Sequence, residues 1–426
     1  MKQSLYQDTV NILRELNQIP SSPFLPNAQI KFLTEFLKKH NYDYEINPYC
    51  VVVRKKSPDK NARKLIISTH LDHPGAVMKN NSEGIFFGSV GLERLEKVIK
   101  ESKLSLKVFN PDGKYLGKGI VTKFFDNDRK FKFEADFDIP TNSYAQYDIA
   151  YFKETKDELN VYNADNAIDT AAMLALLKQG FTSPYDVYFV FNFHEEVHQL
   201  SAWYLASKNY FNLTKRDLVL NLESPIIETN KPEKYPKLTY TDGPVLKLSN
   251  IGCLFGHLVK GDNLIEKIAK SISKKYRLPL QIGFAKGSDE ARCFSNFPLT
   301  ANIATLAIPN RYKHNWGVSD AIVPERILKN DIAIFDEIFR YFLMTEPTST
   351  ELTKIKSLAG EVKLSDDVTN KNMMKSKDAL NRRLSLSFLP TIRRGYYFPK
   401  NWFDKFLDII FAAISYPVYF YWKLFS

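Results

Sequence analysis

Cysteine is scarce in this chain. Cys50, Cys253 and Cys293 are scattered over 426 residues, with neither the spacing of a thiolate metal site nor that of a disulfide framework. This excludes a disulfide-stapled scaffold and suits a reducing compartment, so a cytoplasmic location is expected. No secretory leader is expected either: MKQSLYQDTVNILRELNQIP is an amphipathic helical pattern carrying Asp8 and Glu15, not a charged end followed by an apolar core. No internal repeat is present. The formal net charge is +11, yet the lysines are dispersed beside Asn and Tyr as on a solvated surface. Basic residues do not interleave with aromatics as they do in RNA binders, so no nucleic-acid partner is expected.

What the chain does have is apolar residues, 44% of its length, enough for a large core and too long a chain for one ordinary domain. Two helices open it, the second, AQIKFLTEFLKKH, with Ile30, Leu33, Phe36 and Leu37 on one face. Strand CVVVR follows, then the apolar strand LIISTH. Between Gly75 and about Leu159 the texture changes to short alternating runs, GIFFGSV, LSLKVFN, GIVTKFF and KFKFEADF, separated by Asn, Asp and Gly, which reads as a small β domain. From Val161 to Leu343 strands and helices alternate again. NLIEKIAKSISKKY and PERILKNDIAIFDEIFRYFL read as helices, PLQIGFA and LTANIATLAI as strands. The expected fold class is α/β, a mixed central sheet wrapped by helices with an inserted small β domain.

Acids and histidines collect just after the predicted strands. DVYFVFNFHEEV ends in Glu195 and Glu196, two adjacent carboxylates that are costly unless a cation holds them, and ligands of open α/β sheets gather at such strand ends. LIISTHLDHPG runs into His70, with Asp72 two positions on and able to accept the second ring N–H of His70. Asp165 stands in a turn before a helix with Ile168, Met173, Leu174 and Leu177 on its apolar face; alone it reads as a helix cap. DLVLNLESP places Glu223 after another apolar run, and LAIPNRYKHNWG ends in His314. Two imidazoles and three carboxylates, with one carboxylate left over, fit two zinc-like ions that share a bridging acid and activate a water.

In this order, His70-Leu-Asp72, Asp165-Asn166, Glu195-Glu196-Val, Glu223 and Arg311-Tyr-Lys-His314 resemble the tetrahedral (deblocking, glutamyl/leucyl) aminopeptidases, dinuclear metallopeptidases of the zinc exopeptidase superfamily. The resemblance covers about residues 5 to 343. It implies that His70, Asp165 and Glu223 hold one metal, that Asp165, Glu196 and His314 hold the other, that Glu195 is the general base and that Asp72 supports His70. The ions implied are two divalent metals, zinc first, with cobalt or manganese as alternatives. KGSDEARCF resembles the Gly-Thr-Asp-Ala loop of these enzymes, which implies that Asp289 faces the substrate's amino group or buttresses the site. The expected organisation is a catalytic domain over 1–77 and 160–345, an inserted β-barrel-like domain over 78–159, and a basic linker with an apolar tail over 346–426. Peptide substrates and a homo-oligomer are the partners implied. Departures from the pattern are Asn166 for a second Asp, His73 for an acid, His198 for Gly, Glu223 for Asp, and Asn315-Trp316-Gly317 after His314 instead of Ser-Pro-x-Glu.

Other readings are a deacylase or carboxypeptidase of the same superfamily, or an inactive scaffold tethered by its tail. The stretch FLDIIFAAISYPVYFYWKLF follows Arg393, Arg394, Lys400 and Lys405 and is about long enough to span a bilayer. Asp408, Pro417 and its many aromatics equally suit an interfacial helix or one packed on a subunit, so membrane contact through residues 401–426 is an open expectation.

Overall fold

The computed structural model describes residues 4–88, 91–101, 104–125, 129–227, 238–247, 263–283, 289–295, 297, 299–300 and 302–345. Cys253 and the stretch 346–426, including the membrane contact expected of 401–426, lie outside them. Along the chain, helices α1 (Leu5–Leu16) and α2 (Asn27–Lys39) precede strands β1 (Glu45–Ile46), β2 (Cys50–Lys55) and β3 (Lys64–His70). Then come β4 (Gly75–Asn80), β5 (Glu83–Phe87), helix α3 (Leu92–Glu101), β6 (Leu104–Phe109), β7 (Tyr115–Phe125), β8 (Lys130–Glu134) and β9 (Ser143–Tyr147). Strands β10 (Phe152–Glu154) and β11 (Glu158–Val161) lead to helix α4 (Ala167–Gln179), β12 (Asp186–Asn192), helix α5 (Leu200–Ser207) and β13 (Leu218–Glu223). The remainder is β14 (Val245–Lys247), α6 (Leu264–Tyr276), β15 (Gln281–Gly283), α7 (Ala291–Ser295), β16 (Asn302–Ala307), β17 (Glu325–Leu328) and α8 (Lys329–Met344).

The main sheet has the order β1-β2-β12-β3-β13-β16-β14-β15. Its centre, β12, β3, β13 and β16, is parallel, with β2 antiparallel to β12 and β14 antiparallel to β16. Alternate side chains of these strands enter two different apolar layers, which is why their sequences are apolar on both parities. Leu65, Ile67, Val187, Phe189 and Leu220 pack with α1, α2, α4, α6 and α8; Ile66, Val190, Val219 and Ile303 pack with α5 and α7 on the other face. Because the centre is parallel, β3, β12, β13 and β16 all end on the same edge. Asn192 stands opposite His70 across the β12–β3 pair. The chain leaves β3 for β12 on one side and later returns to β13 on the other, so the strand order reverses beside His70, the place where open α/β sheets bind ligands.

Strands β4, β5, β8, β7, β6 and β9 close into a barrel inserted between β3 and α4, with its own core of Met78, Phe86, Leu106, Val108, Phe131 and Phe133. The mixed sheet, its helical layers and the inserted β domain are the fold class read from the sequence. Three local expectations differ. The barrel segment contains a helix, α3, whose charged sequence hides a short apolar stripe through Leu95. Helix α4 is buried all round from Ala167 to Leu177, because Ala171, Ala172 and Ala175 let α1 approach the face opposite the sheet. Finally, PERILKNDIAIF is not one helix: Glu325–Leu328 extends as β17 against β11, with Glu325 and Ile327 buried, and the helix starts only at Lys329. Among the described residues, no helix is long and apolar enough to cross a membrane.

Candidate metal site

His70 is the last residue of β3 and is fully buried. Its Nδ1 lies 2.9 Å from the backbone carbonyl oxygen of Asp72, which can only accept, so Nδ1 carries the hydrogen and the Nε2 lone pair is free. That lone pair faces Asp165 Oδ1 and Glu223 Oε2, each 3.5 Å away. The carboxylate of Asp72 was expected to take the ring N–H. It lies 3.7 Å from Nδ1 and instead accepts the backbone N–H groups of Glu195, 2.9 Å, and Glu196, 3.0 Å. Asp72 thus fixes the backbone of the glutamate pair, while its main chain fixes the imidazole.

The second grouping shares Asp165. His314 Nε2 is 3.2 Å from Asp165 Oδ2 and 3.0 Å from Glu196 Oε1. Ligand atoms at about 2.0–2.2 Å from a tetrahedral ion are separated by roughly 3.3–3.6 Å, a spacing that the His70 set has and that the His314 set is a few tenths of an ångström short of. His70 Nε2, Asp165 Oδ1, Glu196 Oε1 and His314 Nε2 are buried without a protein hydrogen bond of acceptable geometry. His70, Asp165 and Glu223 form one group able to hold a metal ion, and Asp165, Glu196 and His314 form another. The residues present therefore fit divalent metal.

The electrostatics run the same way. Burial would raise the Asp165 carboxyl, but Lys313, His314 and His70 outweigh it and hold it well below the usual range. Burial would lower His314, yet Glu196 and Asp165 push it up to about 10, and Asp165 with Glu223 likewise carry His70 well above its ordinary value. Carboxylates that raise proton affinity at a ring nitrogen raise its affinity for a cation at the same lone pair. Glu195 differs from its neighbour. Burial, added to by Glu196 and Glu223 against the opposing His70, raises it well above the carboxylate range, whereas His314 keeps Glu196 low against its burial. Gln199 Nε2 donates to Glu195 Oε1 at 2.8 Å, and the other Glu195 oxygen is 4.0 Å from His70 Nε2.

Asp289 does not enter the cluster as a free acid. Its Oδ1 accepts from the Ala291 N–H, and its Oδ2 accepts from the buried Lys247 ammonium and the Thr305 hydroxyl, each 3.0 Å away. Next to it, Glu290 accepts from Ser68 on β3, and burial, partly offset by His70, pushes it up to about 7.

Several contributors were not singled out in the sequence. Lys313, one residue before His314, places Nζ 2.8 Å from Asp165 Oδ2 and 2.6 Å from Glu223 Oε1. Glu325 Oε2 accepts from the Ala164 and Asp165 N–H groups, at 2.6 and 3.0 Å, and its Oε1 from the His314 N–H at 2.5 Å. One buried carboxylate thereby ties together the backbones that carry two expected ligands. His73 lies with Nδ1 2.7 Å from the Asp165 carbonyl and Nε2 3.1 Å from Asn315 Oδ1, so two departures from the aminopeptidase pattern meet each other. Asn166 donates to the Leu222 carbonyl at 2.8 Å, a bond an Asp could not make. The only available signals were Glu325 in an apolar, proline-led segment and a lysine beside a candidate ligand.

No protein-family profile matches the chain, and no curated protein matches it. Solved structures do. An aminopeptidase from the archaeon Desulfurococcus kamchatkensis is 18% identical, with a TM-score of 0.63, covering 84% of this chain and 99% of that one. A TET aminopeptidase from a marine sediment thaumarchaeon is 14% identical, TM-score 0.63, over 82% and 99%. The TET1 peptidase of Pyrococcus horikoshii, which can assemble into a tetrahedron or a large octahedral shell, is 16% identical, TM-score 0.61, over 79% and 100%. The mixed sheet with a His/carboxylate cluster at its carboxyl edge and an inserted barrel thus has the fold of these tetrahedral aminopeptidase structures.

Proposed function

We propose that this chain is a metal-dependent aminopeptidase that removes N-terminal residues from peptides. The observation that carries the reading is the sharing of Asp165 between two ligand sets, with a further carboxylate, Glu195, beside them and in neither. His70, Asp165 and Glu223 would form one set, and Asp165, Glu196 and His314 the other, for divalent ions of which zinc suits the N/O donors best and cobalt or manganese also fit. Such ions lower the pKa of a bound water and polarise a carbonyl.

The protein's own work is to place and move the proton. Glu195, held by Gln199 and by the Asp72 bond to its backbone, accepts a proton from the attacking water and returns it to the leaving amine. Its raised proton affinity suits that exchange better than an ordinary glutamate would. Glu196, bound to His314 and kept ionised, is unsuited to the shuttle and suited to ligation. Assembly into a homo-oligomer is proposed from the shells of the similar proteins.

The test is the metal content of the purified chain together with hydrolysis of aminoacyl and N-acyl substrates. Bound zinc with release of free N-terminal residues is expected. Cleavage of N-acyl substrates alone would favour a deacylase, and bound metal with no turnover on either panel would favour an inactive scaffold.

A further inference from the structure

Asp165 and His314 stand on distant segments of the chain, and the cluster exists only if those segments keep their spacing. Glu325 bridges them from one side, accepting the N–H groups of both residues. His73 bridges them from the other. Its Nδ1 is 2.7 Å from the Asp165 carbonyl oxygen, and its Nε2 is 3.1 Å from Oδ1 of Asn315, the residue after His314. The orientation of the Asn315 amide is fixed: its Nδ2 donates to the Tyr162 carbonyl at 2.7 Å, and exchanging nitrogen for oxygen would set two acceptors at that distance. Both partners of His73 therefore accept, so both of its ring nitrogens donate. His73, Asp165, Asn315 and Glu325 are all fully buried, where a lost donor leaves its acceptor unsatisfied. The loop needs such holding. Tyr312, His314 and Asn315 have left-handed backbone angles, φ 68°, 59° and 65°, a conformation unfavourable to residues with a Cβ that persists only where the surroundings impose it.

We infer that His73 and Asn315 are positioning residues of the metal site: together they tie the main chain of Asp165, the ligand shared by both sets, to the loop that carries His314. The inference rests on the proposed metallopeptidase reading and deepens it. Both residues depart from the aminopeptidase pattern, and the departures fit each other. An ionised acid at position 73 has no hydrogen to give, and here it would face two acceptors, the Asp165 carbonyl and Asn315 Oδ1. The imidazole supplies a donor to each. Its ring also stands edge-on to those of His314 and Tyr162, with centroids 6.2 and 5.4 Å away, so the tie runs directly behind the ligand it helps to place.

The experiment compares His73→Gln with His73→Glu, side chains of one shape of which only the first can donate when the second is ionised. The readout is the zinc affinity of the full-length chain in competition with a chromophoric chelator. Groups that orient metal ligands are worth about 10- to 100-fold in affinity, so His73→Gln is expected to bind zinc within about 10-fold of wild type and His73→Glu at least about 10-fold more weakly than His73→Gln. Charge alone gives the opposite order, since an added carboxylate near the cluster would tighten a cation. A cycle of His73→Ala, Asn315→Ala and the double variant gives a second measurement should His73→Glu not fold. Each single variant should weaken zinc binding about 10-fold, and the double variant no more than His73→Ala does, because either change breaks the same tie. Zinc binding by His73→Glu as tight as by His73→Gln or tighter, or losses that multiply in the cycle, would overturn the inference while leaving the metallopeptidase reading intact. A wild-type chain that binds no zinc would overturn both.

Discussion

Both oxygens of Asp165 face cationic or ligating nitrogen, His70 on one side and His314 with Lys313 on the other, and its backbone is held by Glu325 and His73. Such saturation leaves Glu195 as the acid with room to exchange a proton. Glu195→Gln preserves size and the Gln199 contact while removing the proposed proton acceptor, so it should retain metal and lower kcat by about 100- to 10,000-fold. Metal analysis beside steady-state kinetics checks this, and normal turnover would sink the assignment. A second acid tests burial far from the site. Burial, only partly offset by Thr9, pushes the Asp336 carboxyl on α8 from 3.8 up to about 8. Between those values the folded chain binds a proton that the unfolded chain has lost, so stability falls as pH rises through the window. Asp336→Asn should therefore stabilise the protein by roughly 3 kcal/mol at pH 7 and by almost nothing at pH 4, read from urea midpoints at the two pH values. Equal shifts at both would show that the carboxyl does not titrate as described. At this scale the candidates His70, Glu195, Glu196, Glu223 and His314 could be picked out because each follows an apolar run where a polar residue is conspicuous, whereas Asp165, in a turn before a helix, read alone as a cap and joined them only through the order of the segments. Lys313 and Glu325 could not be, since their partners are brought to them only by the folding of distant segments.

The loop from Arg311 to Ile322 runs from the main sheet to β17 and packs on the barrel on the way. Arg311 exchanges backbone hydrogen bonds with Arg326 at the start of β17, which fixes one end. Trp316, 8% exposed, enters the barrel core beside Tyr147 and Tyr162, with the Arg94 guanidinium 5.7 Å from its ring. Gly91 lies under the indole in a left-handed conformation, φ 61°, where an added Cβ would stand 2.9 Å from Trp316 Nε1. Removing a buried aromatic side chain costs about 3–5 kcal/mol, and this one anchors the loop that carries Lys313 and His314. Trp316→Ala should lower stability by about 3 kcal/mol and weaken zinc binding, measured by urea unfolding and by zinc titration. Destabilisation with unchanged zinc affinity would mean that the loop is positioned by β17 alone. Helices and central strands of the sheet were readable from periodicity, because each has one or two apolar faces against a layer. The misreading of Glu325–Leu328 as helix has a physical cause: in four residues, Glu325 and Ile327 inward satisfy a strand as well as a helical turn, and only pairing with β11 decides between them.

For the whole molecule, the question is where the fold closes. Helix α8 packs its Ile332, Phe335, Ile338, Phe339 and Phe342 into the main core, and its last carbonyls are satisfied from the loop before β12. The Ser183 hydroxyl donates to the Leu343 carbonyl at 2.6 Å and the Tyr185 hydroxyl to the Thr345 carbonyl at 2.8 Å. A helix end capped by the body of the domain needs no following segment to satisfy it. The similar structures agree, since 79–84% of this chain suffices to match 99–100% of theirs. Ending the chain after Thr345 should therefore leave the melting temperature, zinc content and per-chain hydrolysis unchanged. The basic and then apolar composition of residues 393–426 should act separately: the full-length chain is expected to sediment with anionic vesicles at low salt and the shortened chain to remain in the supernatant. Loss of zinc or hydrolysis on shortening would show that the tail completes the site, and equal sedimentation of the two chains would move any lipid contact onto the body of the protein.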